Sequence, residues 1–395
     1  MARTPAVRIF AGEDFFSVAL VVHVIFAVVV WFLGFEAVMW CYSASRIAPL
    51  RGRLWGWGLY TAASGMLLLA LSPLTGAEAL LIDYFPLLEH PVYFAGLILV
   101  ALGTGGVAIA YIQHLRISRA QPDLPAYAML LAALVLLITY LSFFSSAFIN
   151  GTSYRPLVWG PGHIFQVVST LAMLSAWMML LSHTVGRVPD SPLMRKLLLV
   201  YLAVAMLMPG IYFFPRVEQT WLFTQAMMYG IALPSVPVAL LVLRVLLSPS
   251  RLELSDPRLS SLVFSLLLFG VGGAMGFFAT GADLRVPAHY HGVLGAVTLA
   301  FMGTTYLLLE KLGISFSSRI SRLQPYLYGS GLLLIILGLF WAGMRSAPRK
   351  TTEYADTATS FAMNLMGLGS VIAVAGGAAF VWVVLIALLR AASNR

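Results

Sequence analysis

LRVPAHYHGVLGAVTLAFMGTTYLLLEKL, residues Leu284 to Leu312, is apolar over the length of a membrane crossing and opens with two histidines, His289 and His291, separated by one residue. On a helix, residues two apart point about 200° away from each other, so these imidazoles reach opposite flanks and one helix can serve two separate metal centres. Imidazole is the commonest metal ligand, and an ionisable group at membrane depth is a functional-site hypothesis by default. The competing reading is that both rings sit at a wet helix end and hydrogen-bond to neighbours. The rest of the chain has to decide between them.

Composition places the chain in a bilayer. Its 395 residues are 60% hydrophobic and 10% charged, with a mean hydropathy of +0.91, far outside the soluble globular range. Apolar runs of about 20 residues predict an all-α polytopic membrane protein with spans near 18-42, 55-74, 90-112, 126-148, 162-182, 197-214, 222-247, 259-280, 288-309, 324-343 and 363-390. These eleven helices form one membrane domain, residues 1-395, with no sizeable soluble part. A single cysteine, Cys41, excludes a disulfide framework, a thiolate-ligated iron-sulfur cluster and a c-type haem attachment pair within the chain. Any haem must be held non-covalently. The N-terminus, MARTPAVRIFAGEDFF, carries acidic residues and no small-residue cleavage site, and reads as retained rather than as a signal peptide.

The net charge of +9 and a pI near 9.8 reflect orientation in the lipid bilayer, not nucleic-acid binding. Of the 24 Lys and Arg, 8 fall at the N-terminus and in the loops after even-numbered spans, and 16 in the segments after odd-numbered spans or in the last turn of those spans (Arg244 and Arg390). Positive loops stay in the cytoplasm, which predicts an outside N-terminus and a cytoplasmic C-terminus in the inner membrane of a bacterium or archaeon. That orientation gives the histidines a pattern. His23, His90, His163, His289 and His291 all lie near the starts of odd-numbered spans 1, 3, 5 and 9, in the outer half of the membrane. His114 and His183 lie at inner ends near arginines, where a snorkelling or phosphate-facing role is expected. Five rings in one layer on four helices are what haems with two axial imidazoles need when they stand between helices.

Local sequence supports close approach around these rings. In Trp159-Gly160-Pro161-Gly162-His163, two glycines and a proline are expected to break the chain just before the ring, and Gly292 and Gly295 clear the helix surface beside His291. Ordinary tight packing would use the same residues. Glu36 lies thirteen residues below His23, roughly 20 Å deeper, where it either passes protons inward or marks the cytoplasmic boundary. Asp83 and Glu89 make a small acidic patch near His90 that a basic redox partner could use. Span 6 carries Pro209 and no histidine. Segment 344-362, with Arg345, Arg349, Lys350 and Thr351, is the longest outer loop and a partner or lid surface.

Ala288-His289-Tyr290-His291-Gly292-Val293-Leu294-Gly295 resembles the tenth helix of the haem-copper oxidase subunit I superfamily, which includes oxygen reductases and nitric oxide reductases. The resemblance implies that His289 binds a high-spin haem and His291 a low-spin haem. Gly160-Pro161-Gly162-His163 resembles the start of the sixth family helix, whose histidine ligates the metal beside the high-spin haem. Three spans separate span 5 from span 9, as three helices separate the sixth and tenth in the family. By the same count span 1 corresponds to the second family helix, and His23 to the other low-spin haem ligand; the first family helix has no counterpart. Two departures stand out: span 6 lacks the His-His pair of the family's seventh helix, and no glutamate follows His163. One imidazole does not make a copper or iron site that needs three or more strong ligands, so copper is not expected.

The resulting expectation is a haem protein with one b-type haem between His23 and His291 and a second on His289, with His163 as its sixth ligand or as a distal residue. His90 is a spare candidate ligand. As an electron conduit, it would work between a c-type cytochrome or other redox subunit on the outer face and the quinone pool. Two alternatives remain: a divergent oxygen or nitric oxide reductase with an open high-spin haem, and a cofactor-free transporter.

Overall fold

The computed structural model describes residues 13-82, 85-151, 153-249, 251-279, 283-349 and 356-393. The N-terminal stretch 1-12, Asp83, Lys350 and Thr351 lie outside the described residues. Eleven of the described helices are long and apolar enough to cross a membrane: α1 Ser17–Ser45, α2 Arg53–Thr75, α3 Pro91–Ser118, α4 Leu124–Asn150, α5 Tyr154–Thr184, α6 Pro192–Phe213, α7 Arg216–Leu246, α8 Pro257–Gly276, α9 Arg285–Lys311, α10 Arg319–Met344 and α11 Thr357–Ser393. Each overlaps its predicted span, so the eleven-helix membrane fold expected from hydropathy is the one found. A short hairpin, β1 Glu78–Leu80 and β2 Leu87–Glu89, pairs antiparallel between α2 and α3 with Ala79 opposite Leu88.

The largest departure is at α5, which begins at Tyr154 rather than near 162. Gly160-Pro161-Gly162 does not break it, because Pro161 lies inside the helix. Membrane helices tolerate an internal proline better than soluble ones do; nearby, Ser146 Oγ donates to the Pro156 carbonyl at 2.8 Å, one residue before the Leu157 carbonyl that Pro161 cannot serve. Helix starts elsewhere are set by caps that hydropathy does not register. Asp123 accepts from Ala126 N at 3.0 Å, Ser191 from Met194 N at 3.2 Å, and Ser318 with Ser321 forms a capping box. Three of the described helices leave α geometry: α1 is π-helical over Ile25–Trp31, α2 ends in a 3-10 turn over Ser72–Thr75, and α6 tightens to a 3-10 helix over Met208–Phe213, where Pro209 stands.

The described helices group into two compact units, residues 13-178 with 189-241, and residues 179-188 with 242-393. In the first, α2 and α3 meet through glycines: a Cβ on Gly103 would stand 2.2 Å from Ala62 N, and one on Gly65 would stand 2.6 Å from Val100 N. Small residues let backbones approach where lipid offers no hydrophobic drive. Trp40 Nε1 donates to the Met129 carbonyl at 2.9 Å and the Tyr111 hydroxyl to the Ala126 carbonyl at 2.8 Å, so the buried aromatic groups there keep partners. In the second unit α10 and α11 pack as closely, with a Gly331 Cβ only 2.4 Å from Ala373 N. There the Tyr306 hydroxyl donates to Gln324 Oε1 at 3.1 Å.

Candidate haem-ligand histidines

Helix α9 begins beside a clamp. Asp283 accepts from the Arg285 backbone N–H at 2.9 Å and from its guanidinium Nη2 at 2.7 Å, and this guanidinium holds the Asp283 carboxyl below the usual carboxylate range. Leu284 N donates to the Ala347 carbonyl at 3.1 Å, fixing the chain after α10 against the start of α9. One turn on, His289 Nδ1 lies 2.7 Å from the Gly272 carbonyl of α8. A carbonyl only accepts, so Nδ1 carries the proton and the neutral ring keeps its lone pair on Nε2. Glycine at 276 is what admits the ring, because a Cβ there would stand 2.7 Å from His289 Nδ1. The two helices touch at Gly272 and Gly292, where a Cβ on Gly292 would come within 2.6 Å of Gly272 Cα.

His291 leaves the other flank, as its spacing requires. Its Nδ1 donates to the Pro287 carbonyl one turn back, 2.7 Å, and its ring stacks on Tyr290 at 4.8 Å and 28°. His163, on α5 in the other unit, repeats the device: Nδ1 donates to the Trp159 carbonyl at 2.6 Å, and the ring lies 4.9 Å from the Trp159 indole. It is 3% exposed. Three rings named from sequence therefore share one tautomer, with the proton on Nδ1 and the ring lone pair on Nε2. A backbone or carboxylate acceptor on the far nitrogen is the usual support of a metal-bound histidine. His23 stands on an exposed part of α1 between buried Val21 and Ile25, directly before the π-helical stretch.

The remaining histidines differ. His90 caps α3, its Nδ1 accepting from Val92 N–H at 3.2 Å. That places its proton on Nε2 and commits the ring to the helix end, the opposite tautomer to the other three. His114 does not snorkel: its Nε2 is buried without a hydrogen-bond partner, and the ring packs edge-on to Trp55 at 6.1 Å. His183 joins a charged cluster, with Nε2 3.5 Å from Glu310 Oε1, while Arg258 bonds both Glu310 and Asp256.

Glu36 is fully buried within the protein. Ser169 Oγ donates to its Oε1 at 3.0 Å, and Oε2 has no hydrogen-bond partner. Tyr140 and Thr104 share a 2.8 Å hydroxyl contact in the same unit. Among the described residues no group of three or more His, Cys, Asp or Glu side chains is placed to hold a metal ion. Gly272 and Gly276 escaped the sequence reading; the small-xxx-small spacing inside GVGGAMG was the available signal.

Residues 2–378 match the family model described as Cytochrome C and Quinol oxidase polypeptide I, and the chain belongs to that family. It is similar to an uncharacterized protein of Aquifex aeolicus, 26% identical over 89% of this chain and 88% of the relative. An uncharacterized protein of Rickettsia prowazekii is 25% identical over 96% and 90%. The cytochrome c oxidase subunit 1 of Thermus thermophilus is 25% identical over 84% and 68%.

Proposed function

We propose that this chain is a membrane electron carrier of the subunit I type that holds two b-type haems and passes electrons between a c-type cytochrome or other redox subunit on the outer face and the quinone pool. The observation that carries the reading is the shared tautomer of His163, His289 and His291, each with Nδ1–H on a carbonyl and the lone pair on Nε2. His23 and His291 would hold one haem; His289 would hold the other, with His163 as its sixth ligand. Bound haem supplies the reversible ferric-ferrous couple. The chain's own contribution is to fix ring orientation through main-chain carbonyl groups and to keep His163 out of water. Span 6 offers no histidine pair for a second metal, which favours electron transfer over gas reduction and argues against copper. The uneven Lys and Arg distribution supports an outside N-terminus and a cytoplasmic C-terminus, in the inner membrane of a bacterium or archaeon.

A second reading, an oxygen or nitric oxide reductase with an open haem on His289, draws support from the relative named cytochrome c oxidase subunit 1. Visible spectra of the purified protein, oxidised, dithionite-reduced and reduced with CO, separate the two when a pyridine haemochrome counts the haems. Two b haems with no CO shift support the carrier. A CO-sensitive Soret band assigns an open haem to His289, and a protein that binds no haem overturns both readings.

A further inference from the structure

Two neighbouring hollows in the first unit have no part in the reading above. At the membrane end that carries His163, a cavity of 210 Å³ is lined by Asn150, Arg155, Trp159, Tyr212, Arg216 and others. Asn150 is 3% exposed, and its amide is oriented without ambiguity: Nδ2 donates to Gln219 Oε1 at 3.1 Å, while both Gln219 donor contacts go to the carbonyls of Tyr212 and Phe214. Asn150 Oδ1 is left buried with no hydrogen-bond partner. It calls for a donor from outside the chain. The rim is cationic. Arg216 donates to the Ile149 carbonyl at 3.1 Å, Arg155 lies 5.5 Å over the Trp159 ring, and among the described residues neither forms an ion pair.

The second hollow is a groove of 490 Å³ between α4 and α6, walled by Leu134, Leu141, Ser142, Met206 and Pro209 among others. It is apolar and open to the hydrocarbon, with Leu141 65% and Met206 64% exposed. From Leu134 to Ser145 it follows α4 over eleven residue steps, about 17 Å at 1.5 Å per step. That length matches one leaflet of a hydrocarbon core about 30 Å thick. The hollows meet at one contact: Ser142 Oγ in the groove lies 3.0 Å from the Tyr212 hydroxyl in the cavity wall.

We propose that the pair is a binding site for one anionic phospholipid with a hydroxylated headgroup, with the phosphodiester on Arg155 and Arg216, a headgroup hydroxyl donating to Asn150 Oδ1, and one acyl chain along the groove. A headgroup with an anion and no donor leaves Asn150 unmet, and a zwitterionic choline headgroup brings a cation to two arginines and no donor to Asn150. The one-leaflet length of the groove is what selects a lipid over a soluble anion.

Native mass spectrometry of the full-length protein in neutral detergent tests this, with phosphatidylglycerol and phosphatidylcholine as probes. The wild type should keep one phosphatidylglycerol through detergent washing, and phosphatidylcholine should not displace it. The double variant Arg155→Gln, Arg216→Gln should bind it at least roughly tenfold more weakly, since charge-assisted phosphate contacts are lost. Met206→Trp, which fills the groove and leaves both arginines, should show a similar loss. Equal retention of the two lipids by the wild type, a measurement that needs no variant, overturns the proposal. Unchanged phosphatidylglycerol affinity in the double variant also overturns it, as does displacement of the lipid by a benzoquinol headgroup analogue.

Discussion

Gly276→Ala should dislodge one haem ligand and spare the other. The new Cβ would stand 2.7 Å from His289 Nδ1 and 2.8 Å from its Cε1, where ordinary contact begins near 3.4 Å. The ring must therefore retreat from α8 by about 0.7 Å. The carbonyl that holds Nδ1, Gly272, is on that same helix, so the retreat stretches a 2.7 Å bond toward about 3.4 Å, beyond useful geometry. Loss of that bond costs ~1 kcal/mol and the residual crowding ~1–3 kcal/mol. Loss of such an outer partner lowers affinity of a metal site by about 10- to 100-fold. The assay is haem content per chain with reduced-minus-oxidised spectra. Gly276→Ala should retain the haem on His291 and be depleted in, or bind weakly, the haem on His289. Gly273→Ala is the matched control, because its Cβ meets nothing within 4 Å. Full haem content and an unaltered spectrum in Gly276→Ala, or an equal loss in Gly273→Ala, would refute the reasoning.

Other substitutions separate structural from ligating groups. His90→Asn keeps a capping side chain and should leave haem content and thermal stability unchanged, whereas His90→Ala should cost ~1 kcal/mol in a melt without touching the haem spectrum; His291→Asn should remove a haem. Asp356 accepts from Thr359 N at 3.0 Å, from Thr359 Oγ1 at 2.6 Å and from Arg345 Nε at 3.1 Å, and these donors, Thr359 foremost, hold its carboxyl down to about 2. A depressed folded value contributes stability above the unfolded value of 3.8 that is lost as pH falls through about 2. Melting temperatures of wild type and Asp356→Asn should therefore differ at pH 6 and converge as pH falls toward 2; a constant gap would contradict this. Gly103→Leu, with Ala62 N already 2.2 Å from an added Cβ, should force α2 and α3 apart and abolish accumulation of folded protein in the membrane, whereas Gly56→Ala, 4.0 Å from its nearest neighbour, should accumulate normally.

The eleven crossings were legible because hydropathy is a property of windows, and each window here is long and uninterrupted. Helix starts were less so: α5 runs eight residues past its predicted beginning because a proline read as a stop was accommodated within the helix. The outward divergence of His289 and His291 followed from helical spacing alone. Which histidine can ligate did not, because the tautomer depends on what faces the far nitrogen. His90 and His163 both precede apolar runs, yet one accepts from a backbone N–H and the other donates to a carbonyl. Glu36 shows the same limit, its buried carboxyl accepting from Ser169, 133 residues away. Pairings at that separation leave no mark in local composition.

The groups that set the imidazoles of His163, His289 and His291 are main-chain oxygens, those of Trp159, Gly272 and Pro287. Every amino acid carries such an oxygen, so substitution at the acceptor positions cannot delete it. Genetic drift can reach these bonds only indirectly, by adding bulk at a crossing such as Gly276 or by bending a helix. The supports of the site are thus hidden from side-chain scanning: alanine at Pro287 or Trp159 leaves the carbonyl in place, and any loss in Trp159→Ala reports the indole beside His163, not the oxygen that orients its ring.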